Sequence, residues 1–289
     1  MPSNAIVVVG LPSSGKTTFL AALWHLIFGR ELPTTLSFDS IARGDQTHLN
    51  RITDRWLGAQ EQERTLTNGD TIVGLNLLDG SRRQVHLTFP DVAGEVFSRM
   101  WEQRECDHEV AEMLRQGNVV LFIRANKISL PMWVTDITQQ AEALGADEAE
   151  EQDDPVSWTP ALAPTQVQLV SLLNMLAEGP LDIGGRKLCI MLSAWDKARG
   201  EGLAPLPFLV QKLPLLHQFL MTNRDTWDWQ VYGVSAQGGD YDGTNQGVAP
   251  RPEAEQLRGV DIAARRIILT RDGVAETYDL TTPLAWLTT

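Results

Sequence analysis

Hydrophobic and polar positions along the chain follow two periods, one typical of buried strands and the other of helices. Residues 5–9 are a continuous, largely β-branched run that predicts a strand buried on both faces, and residues 16–28 continue with helical spacing. The same alternation recurs along the rest of the chain. Further strands are expected at residues 71–78, 84–89, 118–124, 187–194 and 229–235, and further helices at 48–57, 95–116, 165–178 and 206–222.

Strands that alternate with helices in this way predict a mostly parallel sheet that is covered by helices on both faces. We therefore expect an α/β fold, a three-layer sandwich with a sheet of about six strands. Asp79-Gly80 separates two alternating segments and is a strong hairpin signal. The hairpin supplies the one antiparallel strand that we expect beside the parallel strands.

We expect one domain over residues 1–289 that carries two insertions and a C-terminal appendage. These additions fall at about 30–70, about 125–163 and about 237–289. Residues 142–155, within the second insertion, are rich in acidic side chains and hold no aromatic one. This composition indicates either a solvated insertion or an acidic docking segment.

The appendage begins with residues 237–260, which are rich in Gly, Pro, Asp and Asn and predict a long loop. A further hairpin is expected around residues 271–273 and a short helix at 283–287. Just before the appendage, Trp227 and Trp229 flank the start of the last strand. There they either pack in the core or mark a contact surface.

Composition and charge limit the classes of partner. The chain has 24 Lys and Arg residues against 37 Asp and Glu residues, a net charge of −13. That charge repels a phosphate backbone, so we expect no direct nucleic-acid binding and no binding to anionic membranes. The longest apolar stretch, residues 19–28, is too short for a membrane span, and the opening residues lack the basic region of a secretory signal. Cys106 and Cys189 share no metal-ligand spacing, so we expect a cytoplasmic protein with reduced thiols.

Residues 10–17, Gly-Leu-Pro-Ser-Ser-Gly-Lys-Thr, fit the Walker A pattern G-x-x-x-x-G-K-[ST] and join a predicted buried strand to a predicted helix. The glycines of this pattern let successive backbone N–H groups face the phosphates, and the helix adds its positive end. Lys16 supplies a charge to the β- and γ-phosphates, and Thr17 offers its hydroxyl to Mg²⁺. The fold class is therefore that of the P-loop NTPases. We expect the nucleotide to contact Gly10, Ser13, Ser14, Gly15, Lys16, Thr17 and Thr18.

The Walker A pattern alone does not separate kinases, ATPases and GTPases. The predicted hairpin leads into Asp91-Val92-Ala93-Gly94, which resembles the Ras-like and translation-factor GTPases, where an antiparallel strand pair precedes an Asp-x-x-Gly motif. The resemblance implies that Asp91 reaches Mg²⁺ through water and that the Gly94 amide contacts the γ-phosphate. It places Glu95 where a hydrolysing relative often has a glutamine. Glu95 either orients the attacking water or is an acid that favours a helix start.

Residues 192–197 (LSAWDK) end a predicted strand and resemble the N/T-K-x-D base-recognition element of these GTPases. The resemblance implies that Asp196 accepts hydrogen bonds from guanine N1 and N2. Ala194 replaces the lysine whose stem normally packs on the base. Either Trp195 or Lys197 would then supply that contact.

Residues 233–236, at the end of the last predicted strand, resemble the S-A element of the same GTPases. In that element a backbone N–H approaches guanine O6, so we include Ser235 and Ala236 in the nucleotide site. A guanine nucleotide is the expected ligand, with an adenine nucleotide as the alternative.

The magnesium-capping threonine of the first switch lies shortly before the hairpin in the Ras-like pattern. That position implies Thr65, with Thr67 as the other candidate. Arg64 directly precedes Thr65. It either reaches the γ-phosphate in cis and accelerates hydrolysis, or it is one charge of a solvated loop.

Residues 20–27, 56–65 and 91–95 resemble the corresponding segments of bacterial double-GTPase families, which are found beside conflict and signalling genes. The resemblance implies a protein that acts with neighbouring-gene products as partners. We expect a P-loop GTPase that binds GTP or GDP with Mg²⁺, hydrolyses GTP slowly, and serves as a switch or assembly module. The alternatives are an ATP-binding ATPase or kinase, and a nucleotide-binding scaffold without hydrolysis.

Overall fold

The computed structural model describes residues 4–62, 71–91, 95–131, 159–243 and 249–289. Strands and helices alternate along these residues. The strands are β1 (Ala5–Gly10), β2 (Ser37–Arg43), β3 (Thr71–Leu78), β4 (Gln84–Asp91), β5 (Asn118–Arg124), β6 (Arg186–Ser193), β7 (Trp227–Ser235), β8 (Ile268–Thr270) and β9 (Glu276–Thr277). The α-helices are α1 (Lys16–Gly29), α2 (Gln46–Leu57), α3 (Glu95–Gln103), α4 (His108–Leu114), α5 (Thr165–Leu176), α6 (Trp195–Ala198), α7 (Pro205–Lys212), α8 (Pro214–Thr222), α9 (Pro252–Arg258) and α10 (Thr282–Leu287).

The strands of the described residues form one nine-stranded sheet in the order β2-β3-β4-β1-β5-β6-β7-β8-β9. The central strands β4, β1, β5, β6 and β7 are parallel to one another. β3 and β8 run antiparallel to the strands on both of their sides. The α/β fold is confirmed, whereas the expectation of about six strands with one antiparallel member is wrong.

The additional strands lie at the two ends of the sheet, where hydrophobic patterning is weak. β2 has no fully buried residue, and its pairing with β3 shifts register between Phe38 and Ser40 and again between Ile41 and Arg43. These shifts interrupt the period of two that would have predicted the strand. β8 and β9 form the hairpin expected around residues 271–273 and extend the sheet beyond β7.

Two helix predictions and one loop prediction differ from the structure. The segment expected as one helix over residues 95–116 divides into α3 and α4, and Arg104 between them has a φ of 59°, at which a right-handed helix cannot continue. The helix expected over residues 206–222 divides before Pro214, which has no N–H to donate within a helix. The loop expected at residues 237–260 contains α9, which begins with a proline at its first position.

Helices cover both faces of the sheet, and each face buries its own hydrophobic core. One core includes residues of α1, α2 and α10, and the other includes residues of α3, α4, α5, α7 and α8. Successive residues of β1 alternate between the two, with Val8 in the first core and Val9 in the second. No helix of the described ranges has both the length and the apolarity of a membrane span. The five parallel strands all end at the same edge of the sheet, which is where ligands bind in such folds.

Candidate functional site

Residues 10–17 form a tight loop that joins β1 to α1. A Cβ atom on Gly10 would lie 2.7 Å from the Phe122 carbonyl oxygen, so the loop can approach β5 only with glycine at this position. Gly15 has a φ of 95° and precedes the first residue of α1. The loop therefore turns directly into a helix N-terminus, which favours an anionic ligand.

The ammonium group of Lys16 bonds to the loop itself. Its Nζ donates to the carbonyl oxygens of Gly10 at 2.8 Å and Leu11 at 3.0 Å, and to Ser14 Oγ at 3.3 Å. An ammonium group has three donors, so a phosphate oxygen would compete first with the Ser14 hydroxyl, the most distant of these acceptors. The contact of Lys16 with phosphate stays a prediction, and its position within the loop is compatible with it.

Two neighbouring strands bind the backbone of the loop through side chains. Ser193, the last residue of β6, is buried, and its Oγ donates to the Ser14 carbonyl oxygen at 2.7 Å. Arg124, the last residue of β5, donates from Nη1 to the Ser13 carbonyl oxygen at 3.5 Å and from Nε to Asn126 Oδ1 at 3.1 Å. Loop carbonyls that accept these bonds repel an incoming phosphate less. No sequence motif indicated that Arg124 contacts this loop.

The residues expected to hold Mg²⁺ are described in part. Thr17 and Thr18 lie in the first turn of α1 and are half-buried. Asp91 ends β4, beside the loop strand β1, and Glu95 begins α3, but their side chains lie outside the described residues, as does the whole of Gly94. Among the described residues, no three His, Cys, Asp or Glu side chains cluster around a possible metal position. A Mg²⁺ ion bound mainly by nucleotide phosphates needs no such cluster.

The expected first switch lies outside the described residues. This applies to Arg64, Thr65 and Thr67, and also to the acidic segment 142–155. Their roles stay predictions.

Asp196 lies in α6, directly after β6, and is half-buried. Its Oδ1 is shielded from solvent and has no hydrogen-bond partner among the described residues. Burial raises the pKa of the neighbouring Tyr241 to about 12, and the charge of Asp196 contributes in the same direction. A shielded carboxylate oxygen without a donor is costly, so this atom is suited to N–H donors of a ligand.

Of the two side chains considered for the face of the base, Trp195 is buried in the core, whereas the contact of Lys197 with a base stays a prediction. Trp195 is 1% exposed, and its ring packs edge-on against Phe208 with the centroids 5.5 Å apart. A Cβ atom on Gly233 would lie 2.3 Å from the same ring. Trp195 therefore belongs to the core, which contradicts the alternative in which it packs on a base. Lys197 lies at the surface, where Nζ is 3.0 Å from Glu253 Oε2 and 3.2 Å from Asp240 Oδ2.

The S-A element ends β7 beside the segment that carries Asp196. Ser235 is buried, and its Oγ accepts a hydrogen bond from the Gly238 N–H at 2.9 Å. The Ala236 carbonyl oxygen accepts from Trp56 Nε1 at 2.7 Å. β6 and β7 are adjacent, with Ser193 paired to Val234, so the two predicted base-recognition elements lie side by side.

The C-terminal residues also contact the segment that precedes the expected switch. The N–H of Asp242 donates to the Ala59 carbonyl oxygen at 2.9 Å, and the N–H of Glu61 donates to the Asp242 carbonyl oxygen at 2.8 Å. Arg266 donates to the carbonyl oxygen of Trp56 at 3.0 Å. No motif predicted these contacts, since they join residues that are far apart in the chain.

Comparisons with known proteins identify the family of the chain. The model of the Double-GTPase 1 family matches residues 7–287. No curated protein sequence matches the chain. Solved structures similar to the chain include a bacterial selenocysteine-specific elongation factor EF-Sec, with 11% identity, a TM-score of 0.36, and coverage of 82% of this chain but only 27% of that one. Another is the signal recognition particle receptor SRb-GTP/SRX complex from Chaetomium thermophilum, with 13% identity, a TM-score of 0.38, and coverage of 89% of this chain and 96% of that one.

Proposed function

The chain belongs to the Double-GTPase 1 family, and we propose that it binds GTP or GDP together with Mg²⁺, hydrolyses GTP slowly, and changes its association with other proteins when the nucleotide changes. One observation carries this proposal. The 2.7 Å hydrogen bond from Ser193 to the Ser14 carbonyl oxygen fastens the loop expected to bind phosphate to the strand that leads to Asp196. The hydrogen bond would thereby hold the expected phosphate site and the expected base site together at one edge of the sheet.

The phosphates are the part of the nucleotide that the loop would hold. Lys16 would exchange its bond to Ser14 Oγ for a phosphate oxygen, and the start of α1 would add backbone donors. Thr17, half-buried in the first turn of α1, would offer a hydroxyl to Mg²⁺, and the Asp91 position ends the neighbouring strand. When bound, Mg²⁺ neutralises charge that develops on the phosphate oxygens.

The base is the part that the ends of β6 and β7 would hold. Asp196 Oδ1 would accept from guanine N–H groups, and the Ala236 N–H would face guanine O6. Ala194 leaves the base without the lysine of related GTPases. Arg124 is the register partner of Ser193 and reaches the Ser13 carbonyl oxygen. We therefore propose that the guanidinium group of Arg124 supplies the positive charge between the phosphates and the base.

Equilibrium titration of labelled GTP, GDP, ATP and ADP, with and without Mg²⁺, tests the proposal. The Lys16→Ala variant is expected to bind triphosphates at least about tenfold more weakly than the wild type. Lys212→Ala is the matched control, because Lys212 pairs with Glu201 at 2.8 Å on the surface. Unchanged GTP and ATP affinities in a folded Lys16→Ala variant would contradict the assignment of the loop.

The same preparations separate the alternative functions. Equal or tighter binding of ATP points to an ATPase or kinase, and tight GTP binding without turnover points to a nucleotide-stabilised scaffold. Single-turnover GTP hydrolysis by Arg64→Ala and Thr65→Ala variants tests the first switch. If Arg64 acts in cis, its removal abolishes hydrolysis while GTP binding is retained. If Arg64→Ala hydrolyses GTP at the wild-type rate, Arg64 is a surface charge that takes no part in hydrolysis.

We propose that the protein is cytoplasmic and acts in a bacterial conflict or signalling system. Its partners would be the products of neighbouring genes. The resemblance of residues 20–27, 56–65 and 91–95 to bacterial double-GTPase families is what supports this setting. Affinity purification of the tagged chain, loaded either with GDP or with a non-hydrolysable GTP analogue, measures nucleotide-dependent association. Retention of the same neighbouring-gene products in both states would contradict a switch and support a scaffold.

A further inference from the structure

β7 is paired along almost its whole length on one side and along only part of it on the other. β6 pairs with residues Trp227 to Val234, whereas β8 pairs only with Gly233, Val234 and Ser235. Among the strands that the structure describes, none therefore pairs with residues 227–232 on the β8 side. The Trp227 N–H already donates to the Asn223 carbonyl oxygen at 2.9 Å. The rest of a strand edge of this kind presents unpaired backbone N–H and C=O groups that can bind another strand.

A groove of about 460 Å³ follows this edge. It is lined by residues 227–231 of β7, by Leu206 at the start of α7, and by Arg224 and Arg271. Leu206 is 44% exposed, although it is a large hydrophobic side chain. The groove thus combines an unpaired strand edge, an exposed apolar side chain, two cations and one carboxylate, Asp228.

The charged groups of the groove are two arginines and one carboxylate, that of the exposed Asp228, so its net charge is positive. Arg224 and Arg271 are exposed. Arg224 donates to the weakly accepting Met221 Sδ at 3.0 Å, and within the described part of the chain Arg271 makes no hydrogen bond or ion pair. Trp227 is 1% exposed, and its Nε1 is buried without a hydrogen-bond partner in the described residues. The complementary ligand is rich in acceptors and negatively charged.

We propose that this edge binds an extended acidic segment of a partner protein, which adds to the sheet as a strand beside residues 227–232. The backbone of β7 would supply the ladder of hydrogen bonds, and Arg224 and Arg271 would select carboxylates. The paired segment would extend along the six residues 227–232, with a rise of about 3.3 Å per residue. The proposal does not rest on nucleotide binding, because the groove is built from residues outside the candidate nucleotide site.

Charge distinguishes this partner from the other possible occupants. A second copy of the chain paired through the same edge would bring the arginines of one copy toward those of the other, and like charges directly opposite are destabilising. Nucleic acid would offer acceptors, but the net charge of −13 opposes its approach. The chain also repels an acidic peptide, but less strongly, because the peptide carries far fewer negative charges than nucleic acid. The backbone of the peptide can also pair with the strand edge.

The test uses a fluorescein-labelled peptide of about eight residues in which Glu alternates with Val or Thr. Fluorescence polarisation measures its binding to the full chain. Two control peptides have Lys in place of Glu, or Pro at two central positions, where the missing N–H groups break the ladder. We expect saturable binding of the acidic peptide, weakening with salt, and little binding of either control.

Charge-reversal variants locate the binding surface. Arg224→Glu and Arg271→Glu are expected to weaken binding at least about tenfold, and the milder Arg271→Gln replaces Arg271→Glu if the latter does not fold. Arg265→Glu is the matched control, because Arg265 is exposed and does not line the groove. Nucleotide affinity, measured in each variant, is expected to stay at the wild-type value.

Three results would overturn the proposal. They are the absence of acidic-peptide binding, equal binding of the proline peptide, and equal loss in Arg265→Glu. Sedimentation velocity of the wild type and Arg271→Glu supplies a fourth: a concentration-dependent dimer that the variant changes would assign the edge to a second copy. A failure of nucleotide binding in the wild type leaves these results unaffected, so the two proposals fail separately.

Discussion

The substitution Ser193→Ala tests whether β6 holds the loop that we assign to phosphate binding. In the wild type, Ser193 Oγ donates to the Ser14 carbonyl oxygen at 2.7 Å, and both residues are buried. Alanine removes the donor and leaves the carbonyl oxygen without it in a place that water reaches poorly. An unpaired buried acceptor costs about 1–3 kcal/mol, so the free energy of unfolding is expected to fall by that amount. Part of the same energy should appear as weaker nucleotide binding, because the loop loses its fixed position.

Urea denaturation with and without GDP measures both effects in one experiment. A ligand present at about 100 times its Kd adds about 2.7 kcal/mol to stability, and a loosened loop reduces this increment at fixed GDP concentration. Ser37→Ala is the matched control, because Ser37 Oγ also donates to a carbonyl oxygen, that of Leu78, at 3.5 Å on the exposed edge strand β2. We expect Ser37→Ala to stay within about 0.5 kcal/mol of the wild type. Equal stability and equal GDP affinity of Ser193→Ala and wild type would refute the reasoning.

Four further predictions concern the site and the thiols. In fluorescence titrations, Arg124→Ala should bind GTP and GDP several-fold more weakly than the wild type. Arg124→Lys, which keeps the charge but not the planar donors, should recover part of the loss. Wild-type affinity in Arg124→Ala would show that this arginine does not contact the nucleotide. Gly10→Ala should lower the unfolding free energy by about 1–3 kcal/mol in urea titrations, because the added Cβ would lie 2.7 Å from a backbone oxygen. The same variant should lose tight GDP binding. Tight GDP binding by Gly10→Ala would contradict the loop assignment. Glu253→Gln removes the charge that pairs with Lys197. If that ion pair supports Asp196, the variant should show a reduced preference for GTP over ATP in competition binding. An unchanged preference would mean that the pair is only a surface contact. Burial raises the pKa of Cys106 and of the fully buried Cys189, so iodoacetamide near pH 8 should label Cys106 slowly and Cys189 only after unfolding, as mass spectrometry of the native and unfolded chain can check.

Much of the fold follows from hydrophobic periodicity. β1, α1 and the hairpin of β3 and β4 were predictable because a buried parallel strand and a helix each impose a period on many consecutive residues. β2 was not predictable, because an edge strand is held by backbone pairing and its register shifts interrupt the period. α9 has a helix-start proline and early acidic residues, but its seven residues are too few for periodicity to stand out from the surrounding Gly and Pro.

The site divides in the same way. The loop at residues 10–17 and the position of Asp196 were predictable because local motifs carry them. Arg124 was not predictable, because its contact with Ser13 depends on the pairing of separate strands. The burial of Trp195 was also hidden, since it requires the absence of a side chain at Gly233 on the neighbouring strand. Motifs thus indicate which residues serve a site, and packing decides which side chains can reach it.

The most direct test of the central claim, that this edge of the sheet reads a guanine base through Asp196, is competition binding of GTP, ATP and xanthosine triphosphate to the wild type and Asp196→Asn. Guanine has an amino group at C2, which donates, whereas xanthine has a carbonyl there, which accepts. A carboxylate suits the donor, and an asparagine amide can donate to the acceptor. We predict that the wild type prefers GTP, and that Asp196→Asn binds GTP at least about tenfold more weakly while it gains affinity for xanthosine triphosphate. The same order of affinities for all three nucleotides in both proteins would contradict the account.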